Sequence, residues 1–309
     1  MGPIDHMKLL LISIFLLFSA ALPAQTVAHA KGMVHTEDVD LGYETLGQIG
    51  TALPVIAVNG GPGLSHAYMV QNDMWDRIAR HRLVVFYDQR GTGASKRLKA
   101  GAAQSMEAQV ADLEAVRREL KLEKVALVGD SYGGLLSMAY AAAHPEHVAK
   151  LVLSDSPGPS WKDIVHVLPE VFPDIEQQNK DEEQKLGPDT DAAARAGLRN
   201  HFRMIFYSPE KRDAYMSKMG DLGFESAVAK AVAEATQNVD LKSKLADFHF
   251  PTLIINGRYD MNVAPLTAWQ LSQIIPGSKV VFFEKSGHLP SYEEPKKYMT
   301  VLEEFLNSR

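Results

Sequence analysis

The sequence predicts an α/β fold, with a mostly parallel central sheet flanked by helices and an inserted helical cap. Short runs rich in Val, Ile and Leu alternate with helical patterns, which is typical of a parallel sheet covered on both faces. The alternation stops near residue 157 and resumes at residue 251. A length of 309 residues fits one large domain with an insertion better than two equal domains.

The predicted elements follow in order along the chain, and apolar spacing or flanking residues justify each of them. The predicted strands are a hairpin over 33–46 and then 54–58, 82–87, 124–128, 148–153, 251–255 and 279–283. The predicted helices are 67–80, 104–120, 135–143, 266–275 and 295–306. We therefore divide the chain into a first part of the core (31–156), a helical cap (157–250) and a second part of the core (251–309).

Within the cap, the sequence has no strand signal and is punctuated by prolines. Aromatic residues recur there, namely Trp161, Phe172, Phe202, Phe206, Tyr207, Tyr215 and Phe224. Most of them are expected to form the core of the cap. A cap above the carboxyl ends of the strands would decide which substrates enter, because ligands of such sheets bind at those ends.

Residues 1–30 are interpreted as an addition from cloning followed by a secretory signal. Lys8 precedes the apolar run 9–18, and Ala28-His29-Ala30 places small residues at the two positions that signal peptidase reads. We expect cleavage after Ala30, and a secreted or periplasmic protein without membrane contact. A retained membrane anchor is the alternative, although the apolar run is short for a complete span.

Composition excludes several kinds of site and partner. The chain has no cysteine, so disulfides, thiolate metal ligands and a cysteine nucleophile are excluded. Its formal net charge is −6, and it has no basic stripe of the kind that binds nucleic acid. No metal or other cofactor is expected, and the oligomeric state is not indicated.

The most informative stretch is Gly129-Asp130-Ser131-Tyr132-Gly133, which lies between an apolar strand and a helical pattern. Glycines two residues before and after a serine allow a sharp turn that exposes the hydroxyl above the sheet. The motif occurs by chance, but the flanking strand and helix make it specific. Ser131 is therefore predicted to be a nucleophile.

A serine nucleophile needs a base and a third group that orients the base. Among 11 histidines, His288 follows the last predicted strand, and Asp260 follows the strand before it. The order Ser131, Asp260, His288 is that of the α/β-hydrolase fold. Asp155, at the end of the strand after the predicted elbow, is a rival for the third position.

An acyl-transfer site also needs hydrogen-bond donors aimed at the developing oxyanion. The backbone N–H of Tyr132 follows the nucleophile directly, and we expect Gly61 to supply the second donor from the loop 59–63. We interpret Asp88 and Arg90, in another glycine-rich loop, as structural residues that brace the site.

Five motifs together resemble the proline iminopeptidase family of α/β-hydrolases and the related tricorn-interacting aminopeptidase. The motifs are Asn59-Gly60-Gly61-Pro62-Gly63, Asp88-Gln89-Arg90-Gly91-Thr92-Gly93, Gly129-Asp130-Ser131-Tyr132-Gly133-Gly134, Gly257-Arg258-Tyr259-Asp260-Met261 and Gly287-His288. The resemblance covers about residues 40–160 and 245–309. It implies a metal-independent aminopeptidase that removes an N-terminal residue, often proline, from short peptides.

The chain departs from the family pattern at three places. Asn59 replaces the usual histidine, and Asp130 replaces a small residue before the nucleophile. Family members bind the free amine of the substrate with cap carboxylates, and Glu225 is the nearest match in position. Glu225 is equally typical of a solvated acid at a helix start.

Two other functions stay open. One is a carboxylesterase or lactonase that uses the same three residues on small esters. The other is a non-catalytic binding protein on the same scaffold, although an intact set of three residues favours an enzyme.

Overall fold

The computed structural model describes residues 27–220 and 222–308. The predicted cloning addition and most of the predicted signal lie outside these residues. In the described part of the chain, no helix has the length and apolar character needed to cross a bilayer.

In the described residues, a single sheet of eight strands forms the centre of the fold. The strands are β1 (His29–His35), β2 (Asp40–Leu46), β3 (Val55–Val58), β4 (Val84–Tyr87), β5 (Val125–Asp130), β6 (Val148–Ser154), β7 (Thr252–Gly257) and β8 (Lys279–Phe283). Their order across the sheet is β1-β2-β4-β3-β5-β6-β7-β8. The pairs β1–β2 and β2–β4 are antiparallel and all the others are parallel. The predicted mostly parallel central sheet is therefore confirmed.

Twelve α-helices are found in the described residues. Six belong to the core: α1 (Met74–Ala79), α2 (Met106–Glu119), α3 (Tyr132–Ala143), α10 (Pro265–Ile274), α11 (Pro290–Glu293) and α12 (Pro295–Asn307). Six lie in the chain between β6 and β7: α4 (Leu168–Val171), α5 (Pro173–Leu186), α6 (Asp191–Met204), α7 (Pro209–Lys218), α8 (Ser226–Thr236) and α9 (Lys242–Leu245).

The central strands β3, β5 and β7 are buried on both faces of the sheet, as their apolar runs predict, whereas most of the edge strand β1 is exposed. Leu113 of α2, Leu135 of α3 and Leu271 of α10 pack in the cluster on one face. Trp75 of α1 and Leu302 of α12 pack in the cluster on the other. A third cluster holds the inserted helices onto the core, and it contains most of the aromatic residues predicted to form the interior of the cap.

The prediction of one continuous helix over 67–80 is wrong, because two separate elements cover this stretch. A 3₁₀ turn covers His66–Val70, and α1 begins only at Met74. Asn72 explains the break, because its side-chain oxygen accepts from the backbone N–H of Met74 at 3.0 Å. Asparagine side chains compete with helix formation in this way.

Candidate active site

Ser131 lies at the apex of the turn between β5 and α3. Its backbone has φ 51° and ψ −126°, a strained conformation for a residue with a side chain. The turn is crowded, since a Cβ on Gly129 would lie 2.5 Å from the carbonyl oxygen of Gly133. A Cβ on Gly133 would lie 2.1 Å from the carbonyl oxygen of Val58. Both positions therefore require glycine, as the sequence motif predicts.

The structure brings Ser131, His288 and Asp260 together. The Nε2 atom of His288 lies 3.0 Å from Oγ of Ser131, and its Nδ1 atom lies 2.6 Å from Oδ2 of Asp260. Asp260 follows β7 and His288 follows β8, so both reach the site from the carboxyl edge of the sheet. With Nδ1 donating to the carboxylate, Nε2 is left to accept the serine proton.

Asp260 is held in place by the backbone around it. It is completely buried, and its Oδ1 atom accepts from the N–H groups of Asn262 and Val263, each at 2.9 Å. Its other oxygen faces His288. Two backbone N–H groups bind one oxygen, and the imidazole binds the other. These contacts fix the orientation of the carboxylate, as is needed in a residue that orients a catalytic base.

The charge of Asp260 sets the protonation of His288. Burial alone lowers the pKa of this histidine, but the neighbouring carboxylate outweighs burial, and the net pKa is raised above the ordinary value. The carboxylate favours the imidazolium that forms when the serine proton is taken.

Activity is therefore expected to fall on the acidic side of neutrality, because protonated His288 cannot accept a proton. The sign follows from the raised pKa: kcat/KM for a neutral ester should decline about tenfold per pH unit below a midpoint above about 6.5. A pH profile of kcat/KM with a neutral ester measures this. A profile that is flat from pH 5 to pH 8 would contradict the role of His288.

Asp155, the rival third residue, has different partners. Its Oδ1 atom accepts from the backbone N–H of Gly257 at 2.8 Å, and its Oδ2 atom accepts from the hydroxyl of Ser154 at 2.9 Å. Burial raises its pKa well above the usual range, and the charge of Asp260 adds to this effect. Asp155 thus braces the start of the loop that carries Asp260, whereas the hydrogen bond to His288 comes from Asp260.

Asp155, Asp260 and His288 are also the one cluster in residues 27–220 and 222–308 whose ligand atoms are close enough for a metal ion. Its oxygens, however, already accept from backbone N–H groups, the Ser154 hydroxyl and the imidazole. This donor set fits an orienting role for Asp260 better than a metal site.

The loop predicted to supply an oxyanion donor is braced by Asn59, which replaces the usual histidine. Its side-chain amide donates to the carbonyl oxygens of Gly60 and Leu64 at 3.0 and 2.8 Å. The N–H of Gly60 donates to the hydroxyl of Tyr68 at 2.5 Å, so it is engaged. Gly61 lines the cavity together with Tyr132, the first residue of α3. Both residues that the sequence predicts as oxyanion donors therefore line the cavity that also contains Ser131.

Tyr68 connects this loop to the elbow, and the sequence did not single it out. Its hydroxyl donates to Oδ2 of Asp130 at 2.5 Å while accepting from Gly60. Burial, reinforced by Asp130, holds the pKa of Tyr68 well above its usual value, so the hydroxyl keeps its proton. We call the chain Gly60–Tyr68–Asp130 the elbow clamp.

Removal of the clamp hydroxyl in Tyr68→Phe is expected to lower kcat about ten- to hundredfold, with little change in KM, because Gly61 would lose its fixed position. Steady-state kinetics on an ester separate the two constants. Tyr298→Phe is a matched control, since Tyr298 is also buried but packs in the core against Phe283. Equal losses in both variants would contradict the assignment.

A cavity of about 420 Å³ opens in front of Ser131. The core contributes the walls near the nucleophile, and the inserted helical segment contributes the opposite wall. Its lining comprises Gly61, Pro62, Leu64, Tyr68, Asp130, Ser131, Tyr132, Pro157, Trp161, Ile164, His166, Leu198, His201, Phe202, Ile205, Asn262, Val263, His288 and Leu289. The volume suits a small ligand of one or two residues.

Two polar residues of this lining were also missed from the sequence. The side-chain amide of Asn262 lies 3.1 Å from Nε2 of His288, so the atom that faces Ser131 has a second neighbour. Burial lowers the pKa of His201 to about 3, with His288 and His166 adding to the effect, so His201 is neutral at working pH. In the sequence, the only indication that Asn262 lies near His288 is its position two residues after Asp260.

Glu225, the predicted amine ligand of the cap, is not among the residues that line the cavity. Its Oε1 atom lies 2.6 Å from Nζ of Lys96, and its backbone N–H donates to the carbonyl oxygen of Gly63. The structure therefore gives Glu225 the position of a helix-start acid that binds a surface lysine.

Asp88 and Arg90 brace separate parts of the neighbouring loop and do not pair with each other. Asp88 accepts from His66 at 2.8 Å and from the N–H of Ala94 at 2.8 Å. Arg90 forms a two-pronged ion pair with Asp112 at 2.6 and 2.7 Å. Both lie outside the cavity, in agreement with a structural role.

Known proteins resemble this chain over most of its length. The proline iminopeptidase of Heyndrickxia coagulans is 29% identical over 294 residues, which is 91% of this chain and 99% of that protein. The proline iminopeptidase of Saccharolobus solfataricus is 27% identical and covers 87% of this chain and 89% of its own length. The resemblance inferred from the sequence motifs is therefore confirmed.

Solved structures agree on the fold. An esterase from Thermogutta terrifontis has a TM-score of 0.68 at 22% identity, over 90% of this chain and 98% of its own. The enol-lactonase from Burkholderia xenovorans LB400 has a TM-score of 0.66 at 21% identity, over 87% and 97%. Identities this low show the fold alone.

A family model described as the alpha/beta hydrolase fold matches residues 54–295, most of the sequence. The chain belongs to the α/β-hydrolase fold family.

Proposed function

We propose that this hydrolase is a serine aminopeptidase that releases N-terminal residues, proline among them, from short peptides. The observation that carries the proposal is the likeness to proline iminopeptidases, which extends over 91% of the chain and so includes the inserted helices. The hydrogen-bonded series Ser131–His288–Asp260 supplies the chemistry that such an activity needs.

In the proposed mechanism, His288 takes the proton of Ser131 as the hydroxyl oxygen attacks the scissile carbonyl carbon. The N–H groups of Gly61 and Tyr132 bind the resulting oxyanion. His288 then donates its proton to the departing amine, which leaves an acyl-enzyme on Ser131. A water molecule, deprotonated by His288, attacks the acyl carbon. The bond from that carbon to Oγ of Ser131 breaks, His288 returns the proton to Oγ, and the N-terminal residue is released.

A carboxylesterase or lactonase is the second candidate. The observation that favours it is the position of Glu225, which binds Lys96 and leaves the inserted helices without a carboxylate in the cavity lining described above. The same acyl transfer would then act on a small ester, and neither function requires a metal ion or another cofactor.

Paired hydrolysis assays separate the two functions. Purified enzyme is given arylamides of proline and other residues, the same arylamides with an acetylated amine, and short 4-nitrophenyl esters. The aminopeptidase should cleave the free-amine arylamides and lose this activity when the amine is acetylated. Cleavage of esters without any cleavage of arylamides would overturn the aminopeptidase and support the esterase. A small peptide or ester is in either case the proposed partner.

We also propose that the protein is exported, on the basis of the apolar run and small residues near its N terminus. Cleavage after Ala30 would remove the first two residues of β1 and keep the pairing of Lys31–His35 with β2. N-terminal sequencing of the exported protein should find Lys31 first. An uncleaved chain in the membrane fraction would contradict this proposal and support the anchor.

A further inference from the structure

Asp130 is the one carboxylate among the cavity-lining residues in the part of the chain that the structure describes. It is the last residue of β5 and directly precedes Ser131, and it is 4% exposed. Its Oδ2 atom accepts from Tyr68. Within residues 27–220 and 222–308, no hydrogen bond to its Oδ1 atom is found.

No lysine or arginine of the cavity lining forms an ion pair with the Asp130 carboxylate. The lining residues include no lysine or arginine, and His288, the base whose charge acts on Asp130, is already hydrogen bonded to Asp260. A buried carboxylate is costly unless a cation or several hydrogen bonds compensate it. Burial raises the pKa of Asp130 to about 6, so the group is ionised at neutral pH and able to hold a cation.

We propose that Asp130 binds the protonated amine of the substrate's N-terminal residue, through the oxygen that Tyr68 leaves free. This inference rests on the proposed aminopeptidase and assigns its amine subsite to the elbow rather than to the inserted helices. It also gives a function to the departure from the family pattern at the residue before the nucleophile.

The covalent structure of the substrate supports this placement. In an N-terminal residue, the amine nitrogen is two bonds from the scissile carbonyl carbon. When Ser131 attacks that carbon, the amine must lie within a few ångströms of the elbow, where Asp130 lines the wall. Glu225, by contrast, is bound to Lys96 outside the cavity.

Binding of a matched pair of ligands tests the inference without any turnover. The ligands are L-proline 4-nitroanilide and cyclopentanecarboxylic acid 4-nitroanilide, which share ring and leaving group but differ in the amine. Calorimetry with Ser131→Ala should find the amine ligand bound about ten- to hundredfold more tightly, as expected for a charge-assisted hydrogen bond. Equal affinities in this single variant would overturn the inference.

The double variant Ser131→Ala/Asp130→Asn identifies the residue responsible. Its preference for the amine ligand should fall to less than about threefold, while its affinity for the neutral ligand stays unchanged. Ser131→Ala/Glu225→Gln is the matched control, since it removes a carboxylate of the inserted segment that lies outside the cavity lining, and it should keep the preference. A preference that survives Asp130→Asn, or that is lost equally in the control, would overturn the inference.

The outcomes separate this inference from the proposed function. A wild-type enzyme that cleaves prolyl arylamides while Asp130→Asn leaves the preference intact would keep the aminopeptidase and reject Asp130 as its amine subsite. A protein that cleaves esters alone, yet binds the amine ligand through Asp130, would reject the aminopeptidase and keep the subsite.

Discussion

Replacement of Ser131 by alanine is expected to lower kcat about 10⁵- to 10⁶-fold on every substrate that the enzyme cleaves. The physical reason is that, in the mechanism proposed above, Oγ of Ser131 forms the acyl-enzyme, and this atom lies 3.0 Å from Nε2 of His288, the proposed base. Transition-state binding by the remaining groups leaves a small residual rate above that in water. Steady-state assays on the most rapidly cleaved ester or arylamide measure the effect.

Ser156→Ala is the control for this variant. Ser156 is a buried serine whose hydroxyl donates to the carbonyl oxygen of Pro157 and does not line the cavity. Ser156→Ala should retain activity within about threefold, since a hydroxyl that does not line the cavity takes no part in the chemistry. Full activity of Ser131→Ala would contradict both the aminopeptidase and the esterase.

Asp260→Asn is expected to lower kcat about 10⁴-fold with an intact fold. An asparagine nitrogen in place of Oδ2 would face Nδ1 of His288 as a donor and force the wrong tautomer. The base would then present a protonated Nε2 to Ser131. Measurements of kcat over a range of pH, with the melting temperature as a check of folding, test this prediction.

Asp155→Asn is the matched comparison, because both carboxylates are buried at the same sheet edge. An asparagine oxygen can still accept from the N–H of Gly257, so kcat should fall less than about tenfold. The reverse result, with Asp155→Asn inactive and Asp260→Asn active, would make Asp155 the partner of His288 and contradict the account.

The sequence predicted those features that depend on local backbone chemistry. The elbow is one, because glycines at 129 and 133 are required by the contacts of the turn itself. The positions of Asp260 and His288 are another, because the ends of neighbouring parallel strands meet at one edge. Strands β3 to β8 appeared as apolar runs for the same local reason, whereas β1 and β2 were predicted as a hairpin from loosely alternating residues.

Features that depend on tertiary packing could not be predicted in this way. Tyr68 acts through Gly60 and Asp130, which lie 8 and 62 residues away in the sequence. The sequence left Glu225 open as an amine ligand or a solvated helix-start acid, and in the structure it binds Lys96 and does not line the cavity. Neither contact leaves a periodic or motif-like signal, since side-chain partners across a fold are set by how its elements pack.

The most direct test of the central claim is to identify the residue that forms the covalent intermediate. The enzyme is treated with diisopropyl fluorophosphate, which captures activated serines, and the modified peptide is located by mass spectrometry. The account predicts a single adduct on Ser131, formed in step with the loss of activity and abolished in Ser131→Ala. Complete inactivation with the adduct on another residue, or full activity after modification of Ser131, would contradict it.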